Sequence, residues 1–586
     1  MTGYILGLSR GHNAAVCLLK DGEVVFAIEE ERLSRKKYDG GPYAGVVKVL
    51  EYTDKVDYVV MAHTQPEFGN VEFSGDTVFE GLVRKLKLVD NPETQIIDVH
   101  REHHKMHAAC AFYRSGFEEA VALVVDGAGT FIDAQLEGQQ QTVWEIETIF
   151  DCEYPNTLNT KYRHLGGRGP FAAIHQMETE QNNNEYELII DESAGITKAY
   201  EAVTQYCGWS SIEAGKTMGL FPYGKPNDKL PKIYDNDAGK AKWTTTNRDL
   251  IIPTYPNGAV VNFQKYDYLN QHDNDDVTLL ENRRDMAYAV QTQSQQQMLD
   301  LINKAVEVSG KKKVVISGGY GLNCVANYWY LDKLPEDVEI YVEPISNDAG
   351  TALGAAYYWY HSTTKDTNVR DRAGSLYLGP KYNYLSGDFD RVAKKYDKVE
   401  ITNDVEYADI IKLLREKNIV TMYQGRSENG PRALGNRSVL FDPTFKDGKD
   451  FVNEVKRREY FRPFAASVLE EDAKDWFDLR GMDKSPHMMY AVDCQDGVAE
   501  KVPSVIHVDG TCRIQTVSKE ENEHYYNLIS EFKKETGVPL LFNTSFNLGG
   551  DPLVETLEDA LDTLSKSDIE YCYFPEYKKL VKVPNN

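Results

Sequence analysis

Cysteine is sparse and scattered in this chain. The eight residues, Cys17, Cys110, Cys152, Cys207, Cys324, Cys494, Cys512 and Cys572, include no CxxC pair and no zinc-ribbon spacing. Neither a disulfide framework nor a thiolate metal site is expected, and free thiols in a reducing cytoplasm are. No apolar run approaches the ~20 residues needed to cross a bilayer, and the opening MTGYILGLSRGH lacks the basic start and long apolar core of a secretory leader. A cytoplasmic protein without membrane contact is the expectation. Positive charge is also short: 65 Lys and Arg against 91 Asp and Glu give −26, which disfavours a broad nucleic-acid surface. With 586 residues the chain exceeds one ordinary domain.

Against that acidic background stands a basic island, QGRSENGPRALGNRSVLFDPTFKDGKDFVNEVKRREYFRPFAASVL, residues 424–469. It holds Arg426, Arg432, Arg437, Lys456, Arg457, Arg458 and Arg462, with Gly425 just before the first and Gly430 and Gly435 between the first three. Interleaved glycine argues against a solvated basic helix. Guanidinium groups beside backbone N–H donors suit a bound phosphate or acyl phosphate. Arg513, Asn543 and Ser545, polar residues at predicted strand ends, are natural co-liners of the same anion pocket or ordinary turn caps.

From the start of the chain, residues 4–8, 14–19 and 23–29 read as strands, with a polar turn at 9–13 holding His12. Residues 28–35, IEEERLSR, carry too many charges for a core. His103 and His107 are four apart, the spacing of two metal ligands on one helical turn and equally of a structural pair. Strand 121–125 then ends in Asp126-Gly127-Ala128-Gly129, a carboxylate placed for a metal or phosphate. Two imidazoles with carboxylates suit Fe(II), Mn(II) or zinc. Residues 131–195 are hard to assign, and the basic stretch 159–169 is expected as a loop, either solvated or a lid over an acceptor. Lys216 lies in a phosphate-loop-like tail that lacks the first glycine of a Walker A motif. Strands 313–316 and 338–342 lead into Ser317-Gly318-Gly319 and Asn347-Asp348-Ala349-Gly350, two turns that open helices as anion sites do. Two hairpin turns and two glycine turns predict a duplicated actin-like α/β core with nucleotide between its halves. Residues 361–374 read as a linker to a second α/β domain.

The motifs GLSRGHNAAVCLL, EEERLSR, HHKMHAACAFY, VVDGAG, GKTMGLFPYG, SGGYGLN, SNDAGTALGAA, GRSENGPRALGNRS, KRREYFRPFAASVL, DGTCRIQTV and PLLFNTSFN run from end to end. Together they resemble the O-carbamoyltransferases of the nodulation-factor, cephamycin and aminoglycoside type. The resemblance implies an actin-like transfer domain over 1–365. It implies a carbamoyl-adenylate-forming domain over 366–586, similar to the tRNA threonylcarbamoylation protein. It implies that carbamoyl phosphate and ATP, the latter with Mg2+, give carbamoyl-adenylate and pyrophosphate, and that an acceptor hydroxyl then takes the carbamoyl group. By resemblance, Arg426, Arg432, Arg437, Lys456, Arg458, Arg462, Arg513, Asn543 and Ser545 bind carbamoyl phosphate and ATP. Gly127, Lys216, Gly318, Gly319 and Asn323 bind nucleotide in the first domain. His103, His107, Asp126 and Asp348 hold a divalent metal, Fe2+ first, with Mn2+ or Zn2+ as alternatives. His12, Arg437 and Lys456 are the expected catalytic groups, with His12 as base. Asn13 stands where the family has Asp.

The acceptor is less determined. The 37 tyrosines and the basic stretch 161–168 favour a hydroxymethylcytosine in DNA, because aromatics and cations grip unstacked bases. A sugar or antibiotic hydroxyl is the alternative. Different classes are a tRNA threonylcarbamoylation protein, which needs separate partners, and a non-enzymatic ATP sensor, which has no use for the arginine island. Monomer and homodimer both remain open.

Overall fold

The computed structural model describes residues 3–64, 72–73, 76–235, 246–254, 258–262, 264–266, 269, 280–396 and 398–584. The chain divides into two compact units, Met1–Val25 with Gly40–Gly374, and Phe26–Asp39 with Ser375–Asn586. The first unit thus runs past residue 365 and gives up residues 26–39 to the second. No helix among the described residues is long and apolar enough to cross a membrane.

The first unit opens on strands β1 (Tyr4–Ser9) and β2 (Ala15–Lys20) and the start of β3 (Glu23–Glu29), which runs on into residues 26–39 of the second unit with the short helix α1 (Glu30–Ser34). Strands β4 (Tyr58–Ala62) and β5 (Ile96–Asp98) complete a sheet of order β3-β2-β1-β4-β5. Here β1 is antiparallel to β2 and parallel to β4, and β4 is parallel to β5. Helix α2 (His103–Arg114) follows.

The pattern then repeats. Strand β6 (Glu119–Val125) starts a second sheet with β7 (Phe131–Leu136), β8 (Gln139–Glu153), β9 (Thr157–Gly166), β10 (Ile174–Thr179) and β11 (Glu185–Asp191). After helices α3 (Gly195–Tyr206) and α4 (Glu281–Ser309) come β12 (Lys313–Ser317), α5 (Cys324–Leu331), β13 (Glu339–Val342) and α6 (Ala349–Thr364). Within the order β10-β11-β9-β8-β6-β12-β13, the run β9-β8-β6-β12-β13 repeats the first sheet's order and directions. This duplicated α/β arrangement is the actin-like fold expected.

Equivalent helices α2 and α6, each after the fifth strand of its half, pack on each other and on β1 and β12. Small residues allow it: a Cβ on Gly354 would lie 1.9 Å from the Met106 carbonyl oxygen, and one on Gly7 would lie 1.9 Å from that of Ala352. This close contact brings the start of α2, the end of β6 and the start of α6 together.

Three expectations are corrected. Residues 131–191 are five strands, and the supposed basic loop 159–169 is mostly β9. Its alternate residues Leu158, Thr160, Tyr162 and His164 are buried; the inward positions are too polar for alternation to show in a hydrophobicity reading. Residues 361–364 continue α6 instead of opening a linker. Four of the five charges of IEEERLSR, Glu29, Glu30, Glu31 and Arg32, are buried, and Arg35 is half-buried: Arg32 donates to the carbonyls of Glu428 (2.9 Å) and Gly430 (2.8 Å), and Arg35 to those of Leu553 (2.6 Å) and Pro552 (3.1 Å). They pin loops of the second unit, each charged hydrogen bond contributing about 1.5–3 kcal/mol.

His164 lies between Glu147 (2.6 Å) and Asp191 (2.9 Å). Burial lowers its pKa, but the two carboxylates outweigh that and raise it from 6.5 to about 10. The stabilisation is therefore complete below pH 6.5 and lost as pH rises through about 10. In urea titrations, the gap in stability between wild type and His164→Gln should be widest at pH 6.5 and should narrow towards pH 10.

The second unit is a ten-stranded sheet. Its strands are β14 (Glu400–Thr402), β15 (Val420–Tyr423), β16 (Arg437–Phe441), β17 (Ala465–Leu469), β18 (Phe477–Asp478), β19 (Ala491–Cys494), β20 (Thr511–Val517), β21 (Leu540–Ser545), β22 (Tyr571–Phe574) and β23 (Lys579–Lys582). Their order is β14-β23-β22-β15-β16-β21-β17-β20-β19-β18. Central strands β16, β17 and β21 carry the polar residues at their ends towards one another: Ser438 faces Ser545, and Ala465 faces Asn543.

Candidate active sites

In the first unit, His103, His107, Asp126 and Asp348 converge, with one ligand atom from each lying within 4.8 Å of all the others. His103 and His107 are one turn apart on α2, Asp126 ends β6, and Asp348 precedes α6. The His103 Nε2 lies 3.5 Å from Asp126 Oδ2 and 3.6 Å from Asp348 Oδ1. The His107 Nε2 lies 3.8 Å and 3.4 Å from the same two atoms. The two Nε2 atoms face each other at 3.2 Å. Four electron-pair donors turned inward in a buried space fit a divalent cation better than they fit one another.

Burial pushes the Asp126 carboxyl up, and Asp348 adds to that, but hydrogen bonding to His103 and the charges of His107 and His103 hold it well below the usual range. Asp348 is held low in the same way against burial, by His103 and His107. Supporting groups surround the cluster. The hydroxyl of Thr130 accepts from the His103 amide (3.2 Å), Ser317 Oγ lies 3.4 Å from His107 Nδ1, and the Gly319 amide donates to Asp126 Oδ1 (3.0 Å).

His12, on the β1–β2 turn, is half exposed and reaches this cluster, with Nδ1 3.9 Å from Asp348 Oδ2. Other expected residues are placed differently. Gly318 has φ +89°, and a Cβ there would lie 2.3 Å from the Val125 carbonyl oxygen, so it and Gly319 set the position of Asp126. Asn323 caps α5 by accepting from the Ala326 amide (3.1 Å) and exchanges hydrogen bonds with Gln291. Lys216 pairs with Glu213 at 2.8 Å. A Cβ on Gly127 would lie 2.8 Å from Glu201 Oε1 and 3.1 Å from Lys198 Nζ. That pair (2.7 Å apart) lies on α3 facing the loop after β6, and sequence reasoning missed it because an i,i+3 ion pair looks like surface.

In the second unit, the basic island separates into two groups. Arg437 is fully buried. Its guanidinium donates to the carbonyls of Gln424 (2.6 Å), Asn436 (3.0 Å), Gly425 (3.3 Å) and Glu555 (3.2 Å) and lies 3.6 Å from the Tyr423 ring centroid. Lys456 donates to the Ser545 carbonyl, to the Asn547 carbonyl (2.8 Å) and to Asn547 Oδ1 (3.2 Å). Arg426 donates to the carbonyls of Gly379 (2.6 Å) and Leu378 (2.7 Å). Asn543 is fully buried, donating to the Ala433 carbonyl (3.1 Å) and Ser467 Oγ (3.0 Å). Ser545 Oγ donates to Asn547 Oδ1 (2.6 Å).

Apart from Arg437 Nε, which has no partner among the described residues, these donors are spent on the protein itself, so the structure gives Arg437 and Lys456 a scaffolding place where the sequence suggested catalytic contact. Arg437→Met leaves four carbonyls unmet and should cost about 3–5 kcal/mol, measured as a fall in the urea midpoint.

Arg458, Arg462 and Arg513 form the second group. Burial lowers the pKa of Arg458, and Arg462 and Arg513 lower it further, with Glu459 the one carboxylate offsetting them. Arg458 donates weakly to Thr544 Oγ1 (3.3 Å) and lies 4.8 Å from the Phe464 ring centroid. Arg462 is 3.5 Å from Glu459. Buried nitrogens of Arg458 and Arg513, both Nε, have no hydrogen-bond partner among the described residues. Like charges brought together with unmet donors suit an anion. Arg432 is half-buried beside the Glu428 loop.

Comparison with known proteins agrees with this two-part layout. The family model described as Carbamoyltransferase N-terminus matches residues 4–73 and 70–357, and Carbamoyltransferase C-terminus matches 411–579. The chain is 29% identical to nodulation protein NolNO of Sinorhizobium fredii, over 95% of this chain and 77% of that one. It is 30% identical to an uncharacterized protein of Synechocystis sp., over 97% and 95%. With nodulation protein NolO of Bradyrhizobium diazoefficiens it shares 30% identity over 80% and 76%. Among solved structures, full-length HypF in a phosphate- and nucleotide-bound form aligns at 14% identity and TM-score 0.32, covering 61% of this chain and 55% of that one. That likeness is too distant to bear on function. On the matches to both its N-terminal and C-terminal regions, the chain belongs to the carbamoyltransferase family and is a carbamoyl-transferring enzyme.

Proposed function

We propose that the two units divide an ATP-dependent O-carbamoylation, the second forming carbamoyl-adenylate and the first passing its carbamoyl group to a hydroxyl. The observation that carries this is the Arg458–Arg462–Arg513 cluster, three cations of which Arg458 and Arg513 each keep an unmet Nε, in an otherwise acidic protein. Carbamoyl-adenylate keeps one oxygen between its carbon and the α-phosphorus. Atoms therefore balance only if carbamoyl phosphate first yields phosphate to water, leaving carbamate. A carbamate oxygen then attacks the α-phosphorus of ATP and pyrophosphate leaves with the bonding pair. The guanidinium cluster neutralises the phosphate charge of both substrates, with Mg2+ accompanying ATP.

In the first unit, the acceptor oxygen forms a bond to the carbamoyl carbon as the bond to the AMP oxygen breaks. AMP takes the electron pair and His12 takes the hydroxyl proton, its imidazole being at the cluster's edge. Two imidazoles and two carboxylates without thiolate suit Fe(II), then Mn(II) or zinc. Bound there, the ion supplies Lewis acidity towards phosphate or carbonyl oxygen. Gly127, Lys198 and Glu201 line the approach from α3.

The DNA-base acceptor loses its sequence support. Arg163 of the basic stretch is on β9 and sits 3.3 Å from Glu145, and His164 is buried. A sugar or other small-molecule hydroxyl is the better reading. Product analysis by phosphorus NMR tests the scheme: one AMP, one pyrophosphate and one phosphate should appear per carbamoyl group transferred. ADP as the nucleotide product would refute it.

A further inference from the structure

Lys198 and Glu201 stand one turn apart on α3 and pair at 2.7 Å. Their side chains are only 12% and 16% exposed, so water screens the pair little. Both heads rest on Gly127, the residue after Asp126. A Cβ on Gly127 would lie 2.8 Å from Glu201 Oε1 and 3.1 Å from Lys198 Nζ. Asp126 and His12 are both among the electrostatic neighbours of Glu201. The pair therefore borders the His–Asp cluster.

The duplicated fold explains the placement. Strand β6 repeats β1, so the turn after β6 is the counterpart of the turn that carries His12. The first turn brings an ionisable side chain to the cluster. The second, Asp126-Gly127-Ala128-Gly129, brings none besides Asp126 itself, and Lys198 reaches that position from α3. The place is the carboxyl end of β6, where α/β folds bind ligands.

Charge then narrows the ligand. The carboxylates of Asp126 and Asp348 together offset one divalent ion, so an anion at the cluster needs a further cation beside it. Lys198 is that cation. An ammonium has three donors, and among the described residues Glu201 is the one acceptor it meets. Two donors are left for a ligand without breaking the pair.

Resting on the transfer reading above, we propose that Lys198 binds the phosphate of the departing AMP and that Glu201 holds it in place. As the acceptor oxygen bonds to the carbamoyl carbon, the bond to the AMP oxygen breaks and its electron pair moves onto the phosphate. Lys198 stabilises that charge and gives up no proton. Glu201 is a positioning residue. It steers the ammonium onto Gly127 and, as an anion itself, limits how tightly AMP is held.

The test compares AMP with adenosine by calorimetric titration of the full chain with Mn(II) added. Arg513→Met is carried as background, to weaken the anion site of the second unit. Lys198→Met should bind AMP about 10- to 100-fold more weakly, the worth of one charged hydrogen bond, with adenosine unchanged. Lys198→Arg, which keeps the charge, should recover most of the loss. Glu201→Gln should bind AMP more tightly, the opposite sign. In turnover without the background substitution, Lys198→Met should lower carbamoyl product per pyrophosphate by about tenfold or more. Adenosine affinity and pyrophosphate release serve as folding controls. Four results overturn the proposal: wild type holding AMP no tighter than adenosine, AMP affinity unchanged in Lys198→Met, AMP and adenosine weakened alike, or Glu201→Gln weakening AMP as Lys198→Met does. If the wild type releases no pyrophosphate, the activation reading has failed instead, and the titrations, which need no turnover, still decide the role of Lys198.

Discussion

His107→Ala should cut carbamoyl transfer by more than about 100-fold, the loss that even outer-shell metal partners produce, while pyrophosphate release stays within twofold. Its side chain is fully buried and its Nε2 lies within 3.2–3.8 Å of the three other inward-facing donors. Removing it leaves too few donors to hold an ion, so bound metal should fall from about one per chain to nearly none. A chelator on the wild type should reproduce the loss, and added Fe(II) or Mn(II) should reverse it there and not in the variant. Protons compete for the imidazoles, so metal content should fall as pH is lowered. Metal content and transfer both unchanged in His107→Ala would remove the metal from the account.

Arg513→Met should lower carbamoyl-phosphate-dependent pyrophosphate release by about 10²–10³, the effect of losing one donor aimed at developing charge. The urea midpoint should barely move, because this guanidinium has an unmet Nε and lies beside the like charge of Arg458, where Arg437 meets four carbonyls. Arg437→Met is the contrast, an arginine of the basic island whose loss shows in stability. Were Arg513→Met fully active and Arg437→Met stable but inactive, the division of the island into scaffold and anion site would be wrong.

The scaffold was legible where the sequence wrote it in apolar runs. Strands β1, β6 and β12 are branched apolar segments ended by glycine turns, and the small residues of α6 announce close packing. The His–Asp cluster was legible in part: two histidines four apart on a helix share a face, and Asp126 follows a strand and Asp348 precedes a helix, while the grouping of the four came from the family resemblance. The five strands over 131–191 were not, because their inward positions include Thr160, His164 and Glu147, which read as polar until their partners are known. The roles within the arginine island were not legible either. Whether a guanidinium meets a carbonyl or faces an open site depends on chain distant in sequence: Arg437 uses the Glu555 carbonyl, and Arg32 reaches the Glu428 loop. Ser9 was counted in the polar turn 9–13, whereas it ends β1 and its buried hydroxyl has no partner among the described residues.

The central claim is reversible adenylation of carbamate by ATP, and isotope exchange tests it without any acceptor. Labelled pyrophosphate should enter ATP only when this protein and carbamoyl phosphate are both present, and Arg513→Met should suppress the exchange. Label entering ATP equally without carbamoyl phosphate, or no exchange by protein that transfers carbamoyl groups, would contradict a carbamoyl-adenylate intermediate.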